Sequence, residues 1–148
     1  MSKGILAVIS LVFLAVVGAG AYFFLVVQPN KPDVRYILMP NVKSLSEEKQ
    51  KALESDWQAI VAADTFMTGL VKQTKIDSKW GLSPEAAIKE LRERVHIKIT
   101  RKDGLQVGFK GKRKEKSDLD ELSQTLFMGG AQLLSQKDPE YSQLFKGK

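Results

Sequence analysis

The sequence predicts an α+β protein: an N-terminal transmembrane helix followed by one small domain with a mainly antiparallel sheet, in the order strand, helices, hairpin, helix. Three observations predict it. No residue from Gly4 to Val27 carries a charge. Two runs that alternate apolar and polar residues flank a turn at Lys102-Asp103-Gly104, and apolar residues recur at three- and four-residue spacing in the segments on either side of them.

The apolar stretch is long enough to cross a hydrocarbon core of about 30 Å at about 1.5 Å per residue. A cleaved secretory signal is the competing reading, since Lys3 can serve as its basic region and Ala19-Gly20-Ala21 matches a small-x-small cleavage site. Apolar residues continue past that site as Tyr22-Phe23-Phe24-Leu25-Val26-Val27, which a spanning helix needs and a signal peptide does not. A retained anchor over residues 1–28 fits better. Orientation is not decided by charge, because Lys3 and the terminal amine face Lys31, Arg35 and Lys43 across the span. Within the span Ala15 and Ala19, with Gly18 between them, form a stripe of small residues that would let a neighbouring helix approach closely.

Residues 29–33 form a stiff linker, since Pro29 and Pro32 remove backbone donors and favour extended chain before them. From Val34 to Met39 the residues suit a strand, stopped by Pro40. Ser46 caps a helix whose apolar residues are Leu53, Trp57, Ile60 and Val61, and Asp64 caps a second that carries Phe66, Met67, Leu70 and Val71 towards Ile76. Ser83-Pro84-Glu85 opens a third, with Ala87, Ile88, Leu91 and Val95 on its buried stripe. The hairpin pairs Val95–Thr100 with Leu105–Lys110, and Val95, Ile97, Ile99, Leu105, Val107 and Phe109 share a face that a helix must cover. Ser117 caps that last helix, whose stripe is Leu119, Leu122, Leu126, Gly129 and Leu133. The domain spans 34–136, and residues 137–148 read as a loose polar tail.

Chemistry is sparse. With 23 Lys and Arg against 17 Asp and Glu the chain carries +6, a mild excess that favours anionic surfaces without identifying one. The absence of cysteine excludes disulfides, thiolate metal sites and cysteine nucleophiles. His96 is the single histidine and falls on the polar face of a strand, so it has no second imidazole for a metal pair. Asp118 and Asp120 are explained by the helix start. No catalytic, cofactor or metal site is expected. Arg101 and Lys102 at the hairpin turn, with Lys110, Lys112, Arg113 and Lys114 beyond it, form a candidate contact for lipid headgroups or an anionic polymer. Nucleic acid is disfavoured, because Glu115 interrupts the run and no aromatic residue is interleaved for base stacking. Trp80, beside Gly81 in a loop, is a candidate partner contact, with packing against the next helix as the alternative.

In their order along the chain, the anchor, Tyr36-Ile37-Leu38, the segment from Ile60 to Ile76, Lys79-Trp80-Gly81-Leu82-Ser83-Pro84-Glu85-Ala86-Ala87-Ile88-Lys89-Glu90-Leu91, the hairpin and the final helix resemble the membrane-proximal domain of polysaccharide chain-length determinants. Trp80-Gly81-Leu82-Ser83 and the stretch from Ile88 to Val107 carry the likeness best. The resemblance implies a non-enzymatic membrane scaffold or regulator in bacterial envelope polysaccharide assembly or export. It would sit in the inner membrane with its domain outside the cytoplasm, and would work as a homo-oligomer or with a membrane protein partner. Members of that family bracket the domain with two spans. This sequence carries one, and it lacks their long helical arm, the proline-rich segment before a second span and the C-terminal kinase domain, so the resemblance implies a single-span derivative. An accessory subunit of another envelope complex, of secretion or flagellar type, shares this layout and is the alternative.

Overall fold

The computed structural model of the protein describes residues 3–146. Helix α1 spans Lys3–Tyr22 and passes into a wider π turn at Phe23–Val27. The stretch Val8–Val27 is long and apolar enough to cross a membrane, and none of it is buried against the rest of the chain. Asn30 ends it, its side-chain amide donating to the Val26 carbonyl at 2.7 Å.

Strand β1 covers Pro32–Met39, starting two residues before the expected Val34. Proline is tolerated as the first residue of an edge strand, where its missing donor costs no ladder bond. Strands β2, Val95–Thr100, and β3, Gly104–Lys112, form the expected hairpin. The sheet order is β1-β3-β2, antiparallel throughout, so β3 is central. In this register Val95 lies opposite Phe109, Ile97 opposite Val107 and Ile99 opposite Leu105, which puts the six predicted apolar residues on one face. At the turn Gly104 has φ +92°, a conformation that side chains disfavour, and a Cβ there would strike the Met39 backbone.

Between β1 and β2 the chain forms α2 (Glu47–Ala62), α3 (Asp64–Thr74), the short α4 (Ile76–Trp80) and α5 (Pro84–Arg94). Ser46 and Ser83 cap α2 and α5 as expected, accepting from the backbone N–H of Lys49 and Ala86. Asp64 is the first residue of α3 rather than its cap, a position where its charge still favours the helix dipole. Lys75, left-handed at φ 53°, separates α3 from α4.

Helix α6, Lys116–Lys137, lies across β1 and β3 and closes the core. It starts one residue before Ser117, so that serine is inside the helix and caps nothing. The buried stripe also differs beyond Leu126. It steps by four to Gly130 and Leu134, leaving Leu133 45% exposed. The reason is Trp57 on α2, whose ring lies where a Cβ on residue 130 would be, so the helix turns its bare glycine towards the indole.

The tail is not loose. Helix α7, Pro139–Phe145, is capped by the Asp138 carboxylate, which accepts from the Glu140 N–H at 2.9 Å. Tyr141 is buried, and Phe145 meets Trp57 and Phe127 edge-on at 6.3 and 6.1 Å. Apolar residues at 141, 144 and 145 form one side of a helical turn, a spacing too short to stand out in a polar segment.

Candidate functional site

The basic residues singled out above do not form one patch. Arg101 and Lys102 occupy the turn at one end of the hairpin, whereas Lys110, Lys112, Arg113 and Lys114 leave its other end. The strand between them separates the groups by about 26 Å at about 3.3 Å per residue. Arg101 is almost fully exposed and lies 3.6 Å from Glu47. The second group is held beside the exit of α1: the Arg113 N–H donates to the Lys31 carbonyl at 2.9 Å, the Lys114 N–H donates to the Pro29 carbonyl at 2.8 Å, and Arg113 Nη1 donates to Gln28 Oε1 at 3.0 Å. One end of the domain is therefore fastened to the end of the apolar helix.

Glu115, the acid that interrupts the run, is turned away from that surface. Its carboxylate pairs with Arg94 at 2.9 Å and accepts the Lys112 N–H at 2.8 Å, leaving its side chain 16% exposed. Among the described residues Lys110, Lys112, Arg113, Lys114 and Lys116 have no carboxylate within salt-bridge distance.

Trp80 is half-buried against the core. Its indole N–H donates to Asp118 Oδ2 at 3.1 Å, and the Arg94 guanidinium lies over its ring at 4.6 Å. Both faces of its chemistry, the donor and the π cloud, are thereby used in joining α4 and α5 to α6. Next to it Lys79 pairs with Glu121 at 2.6 Å, and that hydrogen bond raises the ammonium above its ordinary pKa. Asp118 is thus committed to Trp80, with Lys79 at 3.8 Å.

Along α1, Ala15, Gly18 and Ala19 are exposed, and a Cβ built on Gly18 meets nothing within 4 Å. Among the described residues none covers this small-residue stripe.

The feature that sequence reasoning missed is the outer face of the sheet. Val34, Tyr36 and Leu38 point away from the core and are 38%, 42% and 44% exposed, flanked by Lys98 and Lys110. Gly108 lies at the centre of this face, between Tyr36 and His96 in the register. A Cβ there would be driven into the backbone of Arg35 and Tyr36. Across it the Tyr36 and His96 rings approach to 5.7 Å, and His96 Nε2 lies 2.9 Å from Gln106 Oε1. A signal was present: Val34, Tyr36, Ile37, Leu38 and Met39 place apolar groups on both faces of β1, the pattern of a strand covered on both sides. At its far end an apolar cleft of about 380 Å³ opens between β1, Phe127, Leu144 and Phe145.

No family model, curated protein or solved structure matches the chain.

Proposed function

We propose that this protein is a membrane-anchored, non-enzymatic scaffold or regulator of bacterial envelope polysaccharide assembly or export, acting by oligomerisation or by contact with a membrane protein partner. The observation that carries the contact role is the outer sheet face, where three large apolar side chains of an edge strand stay uncovered, whereas on the opposite face the central-strand residues Leu105, Val107 and Phe109 are fully buried. The anchor reading draws on Val8–Val27, an apolar helix that is not buried against the domain and carries Tyr22, Phe23 and Phe24 towards its C-terminal end. Support for the polysaccharide setting comes from the resemblance and from an arrangement consistent with it: the strand bearing Tyr36 pairs with the hairpin, and α6 crosses that sheet. In this reading the soluble domain stands on the outer side of the inner membrane.

The test is a strain lacking the protein. Altered amount or length distribution of surface or exported polysaccharide is the expected result. Unchanged polysaccharide, together with recovery of the full chain in mild detergent with subunits of a secretion or flagellar complex, would overturn the reading.

A further inference from the structure

We infer that the rim beside the exit of α1, formed by Lys110, Lys112, Arg113 and Lys114, binds the headgroups of anionic phospholipids in the bilayer that α1 crosses. This rests on the membrane-anchor reading above. The level of the membrane surface is marked by the chain: the apolar stretch ends at Val27, and the Lys31 ammonium folds back over the Phe23 ring at 5.2 Å from its centroid. Arg113 and Lys114 are hydrogen-bonded to Gln28, Pro29 and Lys31, the residues that immediately follow the span. They therefore lie within about 10 Å of the headgroups, the range over which a negative leaflet attracts a cation at physiological salt.

Their charges are available. The nearest acid in sequence, Glu115, is spent on Arg94 and on the Lys112 backbone. Asp33, the acid that opens β1, is likewise held by Arg35 at 3.0 Å. Between the rim and the linker lies a cleft of about 310 Å³ lined by Asn30, Arg94, Lys110 and Lys112, with Glu93 as its one carboxylate. A phosphodiester entering it meets the ammonium groups of Lys110 and Lys112, neither of which has a carboxylate within salt-bridge distance among the described residues. The distal cations lack this setting: Arg101 has Glu47 beside it and, with Lys102, sits at the far end of β3. Binding at the rim alone would hold the sheet upright on the membrane and keep its outer face in a fixed orientation.

The test uses the full chain in lipid nanodiscs. The protein has no cysteine, so Ser117→Cys, on the exposed surface at the start of α6, gives one site for a fluorescent donor. Energy transfer is then measured to trace amounts of acceptor-labelled phosphatidylglycerol or acceptor-labelled phosphatidylcholine. The expected result is an enrichment of the anionic tracer of about threefold or more, abolished by high salt. K112Q/R113Q/K114Q should lose it, and R101Q/K102Q should keep it. Equal transfer to both tracers, or enrichment that survives the triple substitution, overturns the proposal. Displacement of the anionic tracer by a soluble acidic polysaccharide at far lower charge concentration than the lipid overturns it in favour of a polymer site. Release of the chain from membranes by alkaline carbonate would instead remove the anchor reading itself, which separates the two failures.

Discussion

The two faces of the sheet share their strands, yet only one of them is core. On the covered face Leu105, Val107 and Phe109 have no solvent exposure, and α6 lies over them. On the other face Val34, Tyr36 and Leu38 keep about two fifths of their surface in water. Alternation tells which residues share a face but does not say whether an element arrives to cover it. Burial of a large apolar side chain is worth roughly 1.5–3 kcal/mol, so a face left open withholds stability that the fold obtains elsewhere. The proposed contact role would use this open face.

The comparison is sharpest at Phe109 and Tyr36. Removing the first leaves a cavity in a packed layer, so Phe109→Ala should cost about 3–5 kcal/mol, whereas Tyr36→Ala on the open face should cost about 1 kcal/mol. Urea unfolding of the full chain in detergent measures both, and equal losses would break the distinction between the faces.

Glycine substitutions come next in size. Gly130→Ala pushes a methyl group into the Trp57 ring on the covered side, and Gly108→Ala pushes one into the β1 backbone on the open side. Each should destabilise by roughly 1–3 kcal/mol. A neutral Gly108→Ala would mean that β1 can move away from β3, and that the open face is loosely built.

The smallest effect is a pH dependence at the edge of the core. Burial, and secondarily the neighbouring Asp56 carboxylate, raise the Tyr141 phenol above its ordinary value of 10.0. In the folded chain it therefore stays protonated where the unfolded chain ionises. The stability this contributes is complete below about pH 10 and is lost as pH rises through the raised value. Lys79, also raised, acts in the same direction, but it is well exposed and contributes less. Tyr141→Phe should flatten most of the alkaline decline in unfolding free energy. An unchanged decline would show that α7 does not report on the covered face.

What was legible in the sequence followed local rules. Ser46 and Ser83 announce their helices because a cap needs one side-chain oxygen at one position, and the hairpin faces follow from a period of two. What was missed depends on partners distant in sequence. The shift of the α6 stripe to Gly130 is dictated by Trp57, and the order of α7 by the Phe127 and Trp57 rings. The basic residues at 101, 102, 110 and 112–114 look like one cluster along the chain, but the hairpin strand that the sequence outlines between them carries the two groups to opposite ends of the sheet. For Trp80 the sequence left packing and partner contact open, and Asp118 and Arg94, distant in sequence, are what pack against it.

The central claim is that the open sheet face, held on a membrane anchor, is a contact surface. It is tested most directly by the reactivity of a single cysteine introduced there. Val34→Cys changes side-chain size little and gives the chain its one thiol. In purified protein in detergent that thiol should react freely with a water-soluble maleimide, and in native membranes of the producing cell about tenfold more slowly, a shielding that corresponds to about 1.4 kcal/mol of protection. Equal rates in the two settings would contradict the account.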